Sequence, residues 1–178
     1  MRYLLNKPGL FKRRYVISDQ SGAERYRIDT TMFGNEYKLR NNEGDTLIEI
    51  VDHTFKGYEF IRNGQKLARM PMGLFRRLSH AELPNGRNIK ISRNFWGNRC
   101  VLSDESGELA TARRPLIAAS KIGHIDLPEG KDELLLLAIY IAVDIELNRR
   151  SGRDKATPFS RARYDSSAEC EGAAGRCP

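Results

Sequence analysis

Up to Asp126, apolar and polar positions alternate in short runs, broken at close intervals by clusters of Gly, Asn, Asp and Ser. Tyr15-Val-Ile-Ser passes through Asp19 to Gly22 into Arg25-Tyr-Arg-Ile28. Tyr37-Lys-Leu-Arg passes through Asn41 to Gly44 into Leu47-Ile-Glu-Ile-Val51, and Tyr58-Glu-Phe-Ile-Arg passes through Asn63-Gly64 into Leu67-Ala-Arg-Met70. A period of two, carried by β-branched and aromatic residues, marks a strand with one buried face, and each cluster between runs reads as a turn. Asn63-Gly64 is the sharpest hairpin signal, because both residues accept the positive φ of a tight primed turn.

The pattern also repeats on a longer scale. Phe33-Gly-Asn-Glu-Tyr37-Lys-Leu39 to Gly44 reappears as Trp96-Gly-Asn-Arg-Cys100-Val-Leu102 to Gly107, with the aromatic-Gly-Asn, the Leu and the turn Gly all displaced by 63 positions. Gly9-Leu-Phe-Lys12-Arg13-Arg14 returns as Gly73-Leu-Phe-Arg76-Arg77 at a displacement of 64. Two units of about six strands each predict roughly twelve antiparallel strands, and a sheet that long hides its edges best by closing. A closed barrel of that size has an interior that its own side chains do not fill.

The segment from Lys131 to Arg150 supplies the filling. Its apolar run, Leu134 to Val143, is uninterrupted for ten residues, half of the ~20 that a bilayer span needs. A helix apolar on every side belongs in a core. The reading is therefore a mainly β closed barrel around a central helix over 131–149. Asp132 and Glu133 at its start and Arg149 and Arg150 at its end suit the helix dipole. Asp144 follows the apolar run and reads as a buried structural acid that needs a hydrogen-bonding or cationic partner.

Length and charge refine this picture modestly. The 178 residues fit one domain, placed at 1–150, followed by a tail at 151–178 that is poor in apolar residues and predicted to be disordered. Thirty Lys and Arg against 23 Asp and Glu give a formal charge of +7, which favours anionic partners. The apolar run Tyr3 to Leu5 is shorter than the ~7–15 residues of a secretory signal core, and Cys100, Cys170 and Cys177 make no disulfide or zinc spacing, so a reducing, cytoplasmic location is expected.

Candidate chemistry is sparse. His53, His80 and His124 fall in different hairpins without metal-ligand spacing, and no nucleophile elbow or phosphate-binding Gly-rich loop is present, so neither an enzyme nor a cofactor or metal is expected. Cys100 occupies the position of Tyr37 in the other unit and reads as a small core residue. Asp126, Glu129, Asp132 and Glu133 lack calcium-loop spacing and are assigned to helix capping and solvation. The feature with functional promise is the set of basic residues Lys12, Arg13, Arg14, Arg76, Arg77, Arg113 and Arg114, expected in turns or at strand ends where neighbouring side chains can both reach solvent.

The opening Met1-Arg2-Tyr3 strand, the duplicated Gly-Leu-Phe-basic segments and the ending Ile122-Gly-His-Ile-Asp-Leu-Pro-Glu-Gly-Lys-Asp-Glu-Leu to Ile145 resemble the bacterial branch of the tubby C-terminal-like superfamily, which includes LURP-one-related proteins and phospholipid scramblases. The resemblance covers about residues 1–150 and implies a twelve-stranded barrel around a central helix. In the resembled superfamily tubby proteins bind phosphoinositides and scramblases are associated with lipid transport; together with the basic residues, the absent catalytic motifs and the short apolar run, this gives the expectation of a non-enzymatic module for anionic phospholipid or phosphoinositide-like headgroups, at a membrane surface and without a transmembrane segment. Alternatives of another class are a nucleic-acid-binding protein and a protein-interaction scaffold.

Overall fold

The computed structural model describes residues 1–6, 14–31, 35–73, 78–94, 98–113, 122–128, 130 and 132–150. The alternating runs form β1 (Arg2–Asn6), β2 (Arg14–Ser18), β3 (Glu24–Thr30), β4 (Glu36–Asn41), β5 (Thr46–Asp52) and β6 (Gly57–Arg62). The second unit forms β7 (Gln65–Pro71), β8 (His80–Glu82), β9 (Asn88–Arg93), β10 (Arg99–Asp104), β11 (Gly107–Arg113) and β12 (Ile122–Asp126). Every neighbour is antiparallel, and β1 closes on β12 with Arg2 opposite Asp126 and Asn6 opposite Ile122, so the twelve strands form a closed barrel with no edge.

The duplication reaches fine detail. β4 and β10 are 63 positions apart along their whole length, and each has a register shift at the same place, between Leu39 and Arg40 and between Leu102 and Ser103. Tyr37 and Cys100 occupy equivalent buried positions. The predicted turns carry the required backbone: Gly22, Gly44, Asn63 and Gly64 all have positive φ.

Helix α1 (Glu133–Arg150) threads the barrel. Its eighteen residues, at ~1.5 Å rise each, make a rod about 27 Å long. Leu135 to Val143 are all buried, against inward side chains such as Ile28, Leu39, Ile48, Ile50, Phe60 and Ile125, which are fully buried. The helix backbone comes nearest to β5, β6 and β11. Ala110, Ala112 and Gly123 keep the β11–β12 wall thin, and the Tyr140 hydroxyl sits 3.7 Å from where a Cβ on Gly123 would stand. No helix among the described residues is long and apolar enough to cross a membrane.

The acids before the helix face solvent and also make specific pairs. The Asp132 carbonyl accepts the first helical hydrogen bond, from Leu136 N at 2.9 Å, but its carboxylate turns to Arg87, whose Nη1 donates at 2.8 Å. Glu133 accepts from the Tyr3 hydroxyl, and Asp126 pairs with Arg2 at 2.6 Å. These contacts tie the helix start to Arg87 in the connection after β8 and to Tyr3 on β1, and the barrel seam to Arg2, while the Asp126 and Asp132 side chains stay partly in solvent; Glu129 lies outside the described residues.

Candidate functional site

In an up-and-down barrel every second connection returns to the same end. One end receives the connections 7–13, 31–35, 53–56, 72–79, 94–98 and 114–121, each joining described strand ends. By sequence these carry eight Lys or Arg and no Asp or Glu: Lys12, Arg13, Arg76, Arg77 and Arg114 are joined by Lys7, Lys56 and Lys121. They also hold six of the chain's eight Phe and Trp residues. The opposite end receives 19–23, 42–45, 63–64, 83–87, 105–106 and 127–132, which carry six acids, two cations and no aromatic residue. The connections thus place a formal +8 at one end and −4 at the other.

Of the basic residues singled out in the sequence, Lys12, Arg13, Arg76, Arg77 and Arg114 lie outside the described residues. Arg14 opens β2 and Arg113 closes β11, both strand ends at the basic end. The strand ends flanking the others, Asn6 with Arg14, Met72 with Leu78, and Arg113 with Ile122, belong to that same end.

Arg113 is part of a row the sequence reading missed. Arg99 on β10 stands directly opposite it, and His124 on β12 stands opposite it on the other side. Arg99 and Arg113 are exposed and His124 half-buried. Cross-strand neighbours on one face have Cβ atoms ~4.5–5.5 Å apart, a spacing at which like charges repel. Arg99 reaches Glu108 only at 3.9 Å, and Arg113 has no ion-pair partner among the described residues. The row flanks a shallow groove of about 1040 Å³ along the outer wall, which Asp126 and Arg2 border near the other end. There the Arg2 hydrogen bond, with the charges of Arg2 and His124 adding to it, holds the Asp126 carboxyl below the usual carboxylate range.

Inside the basic end the helix finishes in a buried polar cluster. Asp52, Asp144, Glu146 and Asn148 are each 5 % exposed or less. The Arg149 guanidinium donates to the Asp52 carboxylate, to the Tyr37 hydroxyl at 3.1 Å and to the Tyr58 hydroxyl at 3.5 Å. Tyr58 donates to Glu146 at 3.3 Å, and Asn148 Nδ2 donates to Asp144 at 2.8 Å. Burial would lower the Arg149 pKa, but the hydrogen bond to Asp52 and the adjacent phenols overcome it and hold the group firmly protonated. Burial first, and then the Asp52 charge, pushes the Tyr58 hydroxyl pKa up. This cluster locks the helix to β4, β5 and β6. The acids of the cluster are buried among these partners.

The remaining candidates have structural settings. Cys100 is buried opposite Ala112, His53 Nε2 lies 3.2 Å from Glu59, and His80 Nε2 lies 3.1 Å from Glu82. Among the described residues no group of three His, Cys, Asp or Glu is placed to hold a metal ion.

Comparison with known proteins follows the same lines. A model of the LURP-one-related family matches residues 3–144, which spans the barrel and the helix as far as Asp144. Among solved structures, an X-ray structure of an Arabidopsis thaliana protein superposes with a TM-score of 0.62 at 13 % identity, covering 83 % of this chain and 91 % of that one. At that identity the likeness is one of fold. No curated protein matches the chain in sequence.

Proposed function

The chain belongs to the LURP-one-related family, and we propose that it is a non-enzymatic binding module whose basic end docks on anionic phospholipid at a membrane surface. The observation that carries this reading is the segregation of charge: eight cations and no acid in the connections at one end, six acids and two cations at the other. Such a distribution both attracts the barrel to an anionic surface and orients it, because the acidic end is repelled. Each Lys or Arg near an anionic leaflet contributes about 1 kcal/mol, so a few of the eight suffice for stable peripheral docking.

Guanidinium groups add geometry to charge, since the planar fork matches a phosphate with two hydrogen bonds. Lys12, Arg13, Arg14, Arg76, Arg77, Arg113 and Arg114 are the proposed headgroup-binding residues, and the register adds Arg99 and His124 to them. The barrel and helix over 1–150 form the binding unit, with 151–178 as a tail outside it. The cytoplasmic leaflet, where anionic lipid is concentrated, is the natural surface for it.

Co-sedimentation of the full chain with phosphatidylcholine vesicles, with and without phosphatidylserine and across a salt series, tests the reading. Binding that requires the anionic lipid and fades as salt screens it supports the proposal. Absence of binding at low salt overturns it, and capture of single-stranded oligonucleotides in its place would move the same basic end to nucleic acid.

A further inference from the structure

The duplication provides an internal control for the row on β10, β11 and β12. The β4–β5 and β10–β11 ladders share one register: Glu36 opposite Val51 opens the first as Arg99 opposite Arg113 opens the second, and the shift follows the fourth pair in both. Across the next ladder Val51 stands opposite Glu59, and Arg113 opposite His124. Arg99, Arg113 and His124 therefore occupy the places of Glu36, Val51 and Glu59. One barrel frame accepts both sets, so the fold itself does not require cations there.

The three side chains share the outer face. Their strand neighbours Cys100, Ala112 and Ile125 are buried, and alternation sends the adjacent residues outward. All three border the groove on that wall. The acids bordering it are engaged: Asp126 accepts two hydrogen bonds from Arg2, while Glu108 accepts from the Thr111 hydroxyl and lies 3.9 Å from Arg99. In the first unit Glu59 is neutralised within the chain by Lys66 at 2.5 Å. Arg113 has no such counterpart among the described residues.

We infer that Arg99, Arg113 and His124 form a site for a phosphomonoester group, carried by a phosphatidate-type lipid headgroup or by a small soluble ester. A phosphomonoester presents three terminal oxygens and a charge of about −1.5 to −2 near neutral pH. A phosphodiester or carboxylate presents two such oxygens and a single charge. Each guanidinium can donate two parallel hydrogen bonds to a phosphate, and the imidazole of His124 can donate another. Two forks and an imidazole on one face thus suit the doubly charged group better than a singly charged one. The inference deepens the docking reading above and rests on it for its membrane setting, naming the chemical group that one part of the surface selects.

The test compares binding of the full chain to phosphatidylcholine vesicles containing phosphatidate and to vesicles containing phosphatidylserine, at compositions matched in zeta potential. The phosphatidate vesicles should bind about tenfold more tightly, the scale of one further charge-assisted hydrogen bond. Arg113→Val places there the residue type of the equivalent first-unit position, so its urea midpoint should be unchanged or raised, and the two affinities should come together. Lys90→Gln, which removes an exposed cation on β9, should leave the preference intact. Titration with glycerol 3-phosphate separates the two sources. Binding in solution that Arg113→Val abolishes assigns the site to a soluble ester, and a phosphatidate preference that glycerol 3-phosphate does not displace assigns it to the lipid. Binding to phosphatidylserine vesicles with no phosphatidate preference and no glycerol 3-phosphate binding overturns the site and leaves the docking reading standing. A preference that survives Arg113→Val overturns the site as well. Glycerol 3-phosphate binding without vesicle binding keeps the site and removes the docking reading, and no binding to any of the three overturns both.

Discussion

Arg99 and Arg113 stand directly opposite one another on the outer face of the β10–β11 ladder, with His124 opposite Arg113 on the next strand. A barrel selected for stability alone has no reason to align cations in this way, since like charges directly opposite cost about 0.2–1 kcal/mol. Arg113→Thr should therefore leave the urea midpoint unchanged or raise it. The same variant should bind anionic vesicles more weakly, by about fivefold for the loss of one charge worth ~1 kcal/mol. Parallel urea unfolding and co-sedimentation check both halves of this expectation.

The Arg149 to Asp52 contact makes the opposite prediction. Asp52 is 5 % exposed, and its other oxygen, Oδ1, has no hydrogen-bond partner among the described residues, so Arg149 is its main compensation. Arg149→Met leaves a buried carboxylate without its cation and should cost about 3–5 kcal/mol of unfolding free energy. The double variant Arg149→Met with Asp52→Leu should recover most of that loss, which a denaturation cycle over the four proteins measures.

Gly57 is a position where only glycine fits. Any Cβ would overlap the Met70 carbonyl, and the φ of 113° is itself unfavourable for other residues. Gly57→Ala should destabilise the barrel by about 2–3 kcal/mol, whereas Gly64→Ala, where a Cβ meets nothing within 4 Å, should cost less. Thermal unfolding of the pair separates the clash from the shared cost of positive φ.

Acid should weaken the barrel through its paired carboxylates. Asp104 is pulled down to about 2, first by the hydrogen bond from Ser106 and then by Arg87, and Asp126 is lowered by Arg2. A carboxyl depressed in the folded state stabilises it fully above the unfolded pKa of ~4 and loses that contribution as pH falls toward the folded value. The stability advantage of the wild type over Asp104→Asn should therefore be constant above pH ~5 and shrink toward zero as pH approaches ~2, as followed by urea unfolding at each pH.

Much of the fold was legible because strand alternation, turn chemistry and duplication are local or self-referential signals. Asn63 and Gly64 both adopt the positive φ that their identities suggest, and β4 and β10 share even their register shift. The proposed binding face was less legible, because it depends on parity and register. Which connections share an end follows only from counting every strand, and β8 has just three residues; missing it would exchange the ends. Arg99 and Arg113 are joined by one hairpin, but His124 meets Arg113 across the connection 114–121, whose path no local pattern encodes. Asp52 reads as an ordinary strand end until Arg149, 97 positions away, is brought to it by the helix.

On the proposed reading one end of the barrel, and not its net charge, recognises an anionic surface. Two charge-reversal variants with the same net charge test it: Arg99→Glu with Arg113→Glu at the basic end, and Arg25→Glu with Lys66→Glu toward the other. Binding to phosphatidylserine-containing vesicles at low salt should collapse in the first and persist in the second. Equal loss in both would contradict an oriented docking surface and reduce the interaction to the attraction of any basic protein to an acidic membrane.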